Sequence, residues 1–164
     1  MDEIKYHRHI GIYGICIKEE RLLVIHKNRG PYSGRYDLPG GSIEPNETIL
    51  DTIIREFQEE TGIIVEVSKN VGTKDFVIPW IRSEFDHTHC HHIAVTYEVQ
   101  YISGTVNNSP NIDDSQGAEW KSLFELTKDN SSPLVLMAKE WIETKHINIE
   151  TEEYKEWIIK DNNY

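Results

Sequence analysis

Residues 41–63 constrain the fold of this chain more than any other segment, because they predict one capped amphipathic helix. Thr48 suits the N-cap position, and Gly62 follows the last periodic residue, where a left-handed C-terminal cap is common. We therefore predict a helix over about residues 48–61. Its apolar stripe, at i, i+3, i+4 and i+7 spacing, is expected to pack on a core and consists of Leu50, Ile53, Ile54 and Phe57.

Three glutamates crowd onto the arc beside that stripe. At about 100° per residue, Glu56, Glu59 and Glu60 fall within an arc of about 100°. Like charges three and four residues apart repel by roughly 0.2–0.5 kcal/mol per pair, and a divalent cation would relieve that repulsion. A solvated acidic face is the alternative, since charge runs usually face solvent. If a metal binds, carboxylate oxygens suit Mg²⁺ or Mn²⁺ rather than zinc.

The spacing of the whole segment is more specific than the glutamates alone. Gly41 is followed after five residues by Glu47, and after seven more by Arg-Glu-Phe-Gln-Glu-Glu-Thr-Gly-Ile at residues 55–63. This pattern resembles the Nudix box with every defined position filled, and Tyr-Asp-Leu-Pro-Gly at residues 36–40 is similar to the family's approach to the box. The resemblance extends over residues 10 to about 141. It implies an α/β fold, an α/β/α sandwich around a mixed β-sheet.

The resemblance also implies a reaction. Nudix hydrolases cleave the pyrophosphate linkage of a nucleoside diphosphate joined to another group, by attack of water on phosphorus with Mg²⁺ or Mn²⁺ as cofactor. The expected substrate is a nucleoside triphosphate, a nucleotide sugar or a compound of the ADP-ribose type. The alternatives are a catalytically silent nucleotide-binding sensor with the same fold and an mRNA-cap hydrolase. A net charge of −11 argues against the cap hydrolase.

The family roles can be assigned to matching positions. Arg55 is expected to orient a carboxylate through paired hydrogen bonds, while Glu56 and Glu59 take part in catalysis and Glu56 is a candidate to assist the water. The implied metal ligands are Glu56, Glu59, Glu60, Glu47 and the backbone of Gly40, with loop stabilisation as the alternative for Glu47. Asp114, in a polar loop, is a candidate metal ligand or general base. An ordinary turn aspartate is the alternative reading of Asp114.

Substrate contacts are expected from the segments around the box. Arg29 and Arg35 are predicted to bind phosphate groups, with solvated loop charge as the alternative. Trp80 is a candidate to stack on a base, although aromatic residues in strands are more often core. Pro79 lies sixteen residues after Ile63, which is similar to a mark of the family's ADP-ribose pyrophosphatases.

A histidine-rich run, Asp-His-Thr-His-Cys-His-His at residues 86–92, is not explained by the box. If the run is extended, His87, His89 and His91 share one face, and Cys90 and His92 share the other. Three interpretations are open: a zinc site, histidines that line the substrate pocket, of which His91 is our candidate, and an ordinary polar strand face.

Composition limits the remaining possibilities. The 164 residues are 38% hydrophobic and 27% charged, which predicts one soluble domain over residues 1–164. The acidic balance argues against nucleic acid as a partner, and no apolar run approaches the roughly 20 residues needed to cross a membrane. Two cysteines make no disulfide framework, so we expect a cytoplasmic protein with Cys16 in the core. A homodimer is left open.

Periodicity predicts the other elements. Strands are expected over residues 8–17, 21–27, 64–67, 71–80, 89–101 and 118–121, and a second helix over 134–142. Residues 145–164 lie outside the resemblance. Their apolar spacing predicts a helical extension, with a third helix over 149–160.

Overall fold

A computed structural model describes residues 3–106 and 115–160 of the chain. The strands are β1 (Tyr6–Lys18), β2 (Arg21–Lys27), β3 (Tyr36–Asp37), β4 (Gly40–Gly41), β5 (Ile64–Pro79), β6 (His89–Ser103), β7 (Ser115–Ser122) and β8 (Glu152–Glu153). The helices are α1 (Ile49–Thr61), a 3₁₀ turn (Leu123–Glu125) and α2 (Pro133–Thr144). Within these described residues, no helix is both long and apolar enough to cross a membrane.

The sheet is mixed, as the sequence predicts. β1 pairs in parallel with β6 along residues 6–16 and antiparallel with β2 at its end. β5 runs antiparallel to β6, and β8 lies parallel to β5. The short β4 adds to β1, while β3 and β7 pair with β2. The long central strands therefore hold β4, which leads into α1, against the middle of the sheet.

One helix covers each face of the sheet, which confirms the α/β/α sandwich. Residues 11–16 of β1 and 22–25 of β2 are all buried, and since successive residues of a strand point to opposite faces, these stretches are buried on both sides. The α1 side of the core includes Ile12, Cys16, Leu23, Ile25, Ile53, Phe57 and Val99. The α2 side includes Tyr13, Ile15, Leu22, Val24, Phe76, Leu134 and Trp141.

The ends of α1 are confirmed by its caps. The Thr48 hydroxyl accepts a hydrogen bond from the Asp51 N–H (3.2 Å), and the Asp51 carboxylate accepts one from the Thr48 N–H (3.0 Å). Gly62 closes the helix in the left-handed conformation, with φ of 79°. These local interactions fix the direction in which the acidic side chains of the helix project.

The buried stripe of α1 is narrower than predicted. Ile53 and Phe57 are fully buried, but Leu50 and Ile54 are 47% and 39% exposed, so the prediction for these two residues was wrong. A Cβ added at Gly14 of β1 would lie 2.7 Å from Cζ of Phe57, so the absence of a side chain there brings the helix close to the sheet. The contact between α1 and the sheet is centred on Ile53 and Phe57. Leu50 and Ile54 lie at the edge of the apolar stripe and stay exposed to solvent.

The C-terminal segment does not form the predicted third helix. Residues 149–160 contain only the two-residue strand β8 and no helical turn. The Lys74 ammonium donates to the carbonyl oxygens of Asn148 (2.7 Å) and Glu150 (2.9 Å), and the Tyr154 N–H donates to the Val77 carbonyl (2.9 Å). Because these backbone groups form hydrogen bonds with residues of β5, the segment lies extended along the edge of the sheet despite its helix-like apolar spacing.

Candidate active site

Glu60, in the last turn of α1, is a buried carboxylate held against the β4 backbone. It is 3% exposed, and its Oε1 accepts a hydrogen bond from the Gly40 N–H at 2.9 Å. Burial raises the pKa of Glu60 well above its usual range, and the nearby Glu56 carboxylate raises it further. Gly40 has φ of 147°, and a Cβ there would lie 2.7 Å from the Tyr13 Cα. The close contact between the β4 backbone and β1 therefore requires glycine at this position.

Arg55 holds three acidic side chains on the same side of the helix. Its Nε and Nη2 donate to the two oxygens of Glu47 at 2.6 and 2.9 Å. Its Nη1 donates to Glu56 (3.0 Å) and to Glu59 (3.2 Å). The fork geometry of a guanidinium suits this arrangement, whereas an ammonium could not reach all three groups at once.

Glu47 is positioned as a stabiliser of the loop before α1. Besides Arg55, it accepts hydrogen bonds from the Glu44 N–H (3.0 Å) and the Thr52 hydroxyl (3.1 Å). The hydrogen bonds from Arg55, first of all, lower the pKa of Glu47 to about 2. With both oxygens engaged, the contacts favour the loop-stabilising role over the metal-binding one.

An acidic groove of about 300 Å³ opens above these side chains. It is lined by Gly40, Gly41, Arg55, Glu56, Glu59 and Glu60. His9, Tyr13, Lys27 and Arg29 line it as well. The groove therefore brings a cluster of carboxylates together with the basic side chains of Lys27 and Arg29.

A second cavity, of about 250 Å³, continues from the groove. The two share His9, Tyr13, Lys27 and Arg29, and the second is further lined by His7, Pro31, Tyr32, Asp37, Trp80, Cys90 and His92. Trp80 was predicted from the sequence, and its ring packs 4.5 Å from the ring of His87. Arg29 lies where the groove and this aromatic cavity meet. The geometry thus provides a charged compartment joined to an aromatic one.

His92 is a buried residue that lines the aromatic cavity. Its Nε2 lies 2.7 Å from the Tyr13 hydroxyl, and its Nδ1 lies 2.8 Å from the Tyr32 hydroxyl. Burial lowers the pKa of His92 well below its usual range. A neutral imidazole bonded at both nitrogens fixes the orientation of the two tyrosines.

Two predicted substrate residues lie elsewhere. His91 points to the opposite face of β6, where its Nδ1 accepts from Arg8 (3.0 Å) and its Nε2 lies 2.7 Å from an oxygen of Asp75. Arg35 is only 6% exposed and lines neither the groove nor the aromatic cavity. Asp114 lies outside the described residues. His92, on the other face of the histidine run, lines the cavity instead of His91, and strand alternation alone does not tell which face does so.

Among the described residues, no three His, Cys, Asp or Glu side chains form a ready metal-binding cluster. This finding gives no support to a zinc site in the histidine run. The acidic groove is nevertheless suited to a divalent cation. Glu60 is a buried carboxylate beside Glu56, whose side chain is only 12% exposed, and buried like charges are costly unless a cation pairs with them.

Comparison with known proteins decides the family. Residues 5–143 match the NUDIX domain. The chain belongs to the Nudix family. It is 30% identical over 122 residues to the ADP-ribose pyrophosphatase of Methanocaldococcus jannaschii, an alignment covering 74% of this chain and 66% of that protein. It is 36% identical over 78 residues to the probable DHNTP pyrophosphohydrolase of Lactococcus lactis, covering 47% of this chain and 45% of that protein.

Solved Nudix structures have the same fold. A NUDIX hydrolase from Nitrosomonas europaea superposes with a TM-score of 0.63 at 15% identity, covering 94% of this chain and 81% of that one. A MutT protein from Methanosarcina mazei Go1 superposes with a TM-score of 0.62 at 23% identity, covering 88% and 98%. At these identities the likeness establishes the fold, while the reaction is argued from the site.

Proposed function

We propose that this Nudix protein hydrolyses the pyrophosphate linkage of a nucleoside diphosphate derivative with Mg²⁺ or Mn²⁺ as cofactor. The observation that carries the proposal is the continuity of the acidic groove, the two basic residues at its junction, and the aromatic cavity. A substrate with a diphosphate joined to an organic group needs these three environments in this order. A simple acidic surface would provide only the first.

The donor set of the groove fits a hard divalent cation. Glu56, Glu59 and Glu60 would hold it through carboxylate oxygens, with the Gly40 carbonyl as a further candidate ligand. When bound, such an ion neutralises phosphate charge and lowers the pKa of a bound water. Arg55 holds Glu56 and Glu59 and does not line the aromatic cavity. We assign it a positioning role.

The basic residues at the junction supply the charge that a diphosphate requires. Lys27 and Arg29 line both compartments, so their side chains would pair with phosphate oxygens while the organic group enters the aromatic cavity. Trp80 and Tyr32 offer ring surfaces to that group. Glu56 is the candidate within the described residues to accept a proton from the attacking water.

For the substrate itself we favour compounds of the ADP-ribose type. The relative from Methanocaldococcus jannaschii, named an ADP-ribose pyrophosphatase, aligns with 74% of this chain. Pro79 ends β5, and the next residue is the Trp80 that lines the cavity. An aromatic wall at the end of a long strand suits a ligand that extends away from the diphosphate.

A substrate panel tests the proposal. ADP-ribose, nucleotide sugars and nucleoside triphosphates are incubated with Mg²⁺ or Mn²⁺, and phosphate is measured after coupling to a phosphatase or pyrophosphatase. We expect turnover of at least one class, and loss of turnover with a chelator. Glu59→Gln should reduce kcat by about 100-fold or more, as expected for a lost metal ligand.

Glu66→Gln is the matched control, because it removes the same charge from an exposed position on β5. Near-normal turnover in Glu59→Gln would refute the metal-site assignment. Tight nucleotide binding with no turnover of any class would instead support the silent sensor.

A further inference from the structure

The segment that follows α2 binds along the edge of the sheet. We call residues 146–160 the C-terminal strap; they lie beyond the part of the chain that matches the NUDIX domain. Ile147 is buried, and Lys74 bonds two backbone carbonyls of the strap. The Thr151 hydroxyl donates to Asp75 (2.8 Å), and β8 pairs with β5. These contacts anchor the first half of the strap to β5.

The second half of the strap reaches the loop at residues 28–35, which we call the cavity loop. The Trp157 indole N–H donates to the Pro31 carbonyl at 2.6 Å. The same indole packs edge-on against the Tyr32 ring, with centroids 6.0 Å apart. Trp157 therefore contacts the outer side of two residues whose inner side lines the aromatic cavity.

Arg35 joins the same cluster from the end of the cavity loop. Its guanidinium lies 4.2 Å from the centre of the Trp157 ring and donates to the Ile158 carbonyl at 2.9 Å. It also donates to the carbonyls of Lys128 (3.1 Å) and Asp129 (3.0 Å). A buried arginine bonded to three backbone carbonyls from two distant segments fixes both segments relative to the loop.

The cavity loop is thus held from two sides. On one side, the Tyr32 hydroxyl bonds His92. On the other side, Trp157 of the strap donates to the Pro31 carbonyl of the loop, and Arg35 of the loop donates to the Ile158 carbonyl of the strap. Gly34, with φ of 78°, lies so close to the strap that a Cβ would be 2.7 Å from the Cβ of Lys160. The remaining side of the loop carries Arg29 to the junction of the two compartments.

We propose that Trp157 and Arg35 are positioning residues, through which the C-terminal strap holds the cavity loop in its substrate-binding conformation. Neither residue lines the groove or the cavity, so both act through Arg29, Pro31 and Tyr32. The role in substrate binding rests on the proposed function. The mechanical part, that the strap fixes the loop, does not.

The test compares Trp157→Ala and Trp157→Phe with Ile158→Ala in the full chain. Ile158→Ala is the matched control, because its side chain is 73% exposed and only its backbone carbonyl bonds Arg35. Hydrogen exchange is followed by mass spectrometry in peptides covering residues 28–36 and, as internal reference, α1. Steady-state kinetics use ADP-ribose with Mg²⁺, or the best substrate of the panel.

In Trp157→Ala, exchange in residues 28–36 should rise about tenfold, the scale of one lost hydrogen bond, while α1 changes by less than about twofold. KM should rise about tenfold with kcat within about threefold, because loop disorder weakens binding before it affects the chemistry. Trp157→Phe keeps an aromatic ring near Arg35 but loses the N–H donor together with the five-membered ring that carries it. We expect it to be intermediate and Ile158→Ala to match the wild type.

Uniformly faster exchange in both peptides would overturn the inference, since it would make the strap a general stabiliser. Unchanged exchange in residues 28–36 would overturn it as well. If Trp157→Ala does not fold, Trp157→Phe decides, since exchange equal to that of Ile158→Ala refutes the role of the indole N–H. Local exchange without turnover of any substrate would refute the proposed function and leave the strap inference standing.

Discussion

Replacing Glu60 with glutamine should make the metal-free protein more stable and less active. Glu60 is 3% exposed and accepts the Gly40 N–H at 2.9 Å, a bond that a glutamine oxygen can also accept. The change removes a buried negative charge beside Glu56 and keeps the shape of the side chain. A site built for a cation is destabilised when the cation is missing, so stability and activity should change in opposite directions.

The size of the gain follows from two opposing effects. Burying an unpaired carboxylate costs several kcal/mol after relaxation. Against this, the bond to Gly40 weakens by about 1 kcal/mol when its acceptor loses its charge. We expect a net gain of about 1–3 kcal/mol in the free energy of unfolding, which at about 3 °C per kcal/mol raises Tm by about 3–9 °C.

The gain should depend on pH. Burial raises the pKa of Glu60, so the folded protein binds a proton more tightly than the unfolded chain does. The resulting stabilisation of the wild type is present below the ordinary glutamate pKa and is lost as the pH rises through the raised value. The difference between Glu60→Gln and wild type should therefore be small at about pH 4 and grow as the pH rises above the ordinary glutamate pKa.

Thermal unfolding with a chelator, and then with Mg²⁺, measures both effects. Mg²⁺ should raise the Tm of the wild type, since a ligand of the folded state stabilises it, and should raise that of Glu60→Gln far less. The exposed Glu66→Gln control should behave like the wild type. The reasoning is refuted if Glu60→Gln is no more stable than wild type in the chelator, or if Mg²⁺ stabilises both equally.

Three further predictions concern other parts of the site. Gly14→Ala should lower the free energy of unfolding in urea by about 1–3 kcal/mol, because its Cβ would press on Phe57, and adding Phe57→Leu should recover part of the loss; no recovery would exclude this clash. Arg29→Ala should raise KM about tenfold for a diphosphate substrate and change kcat less, and an unchanged KM would remove Arg29 from the binding site. Cys16 is fully buried and burial raises its pKa to about 12, so iodoacetamide should label this thiol only after unfolding. Rapid labelling of Cys16 in the folded protein would contradict this packing.

Local sequence predicted the helix that carries the acidic side chains, with both of its caps. Thr48 and Gly62 act within one turn of the chain, so their roles depend on spacing alone. The two-sided sheet was also predictable, because β1 and β2 are apolar on both faces. Leu50 and Ile54 fit the periodicity of the stripe but are exposed, since periodicity does not show how closely a helix approaches its sheet.

Contacts between side chains that are distant in the sequence were harder to predict. The hydrogen bonds from Arg55 and Thr52 to Glu47, which favour its loop-stabilising role, could not be read from the spacing of the segment. Strand alternation separated His91 from His92 but gave no sign of which residue meets the cavity. Tyr13 and Tyr32, which orient His92, come from a strand and a loop that no motif connects with it.

By itself, the sequence determined the chemistry that the chain presents: carboxylates at fixed helical spacing, the glycines that approach them, and the match to the Nudix family. The carboxylates and the glycines all lie within residues 40–62, so their roles depend on local spacing. Only the tertiary structure decided the role of Arg35, whose partners Asp129 and Ile158 lie 94 and 123 residues further along the chain. The tertiary structure also decided that residues 149–160 form an extended strap instead of the predicted helix. The backbone groups of the strap form hydrogen bonds with β5.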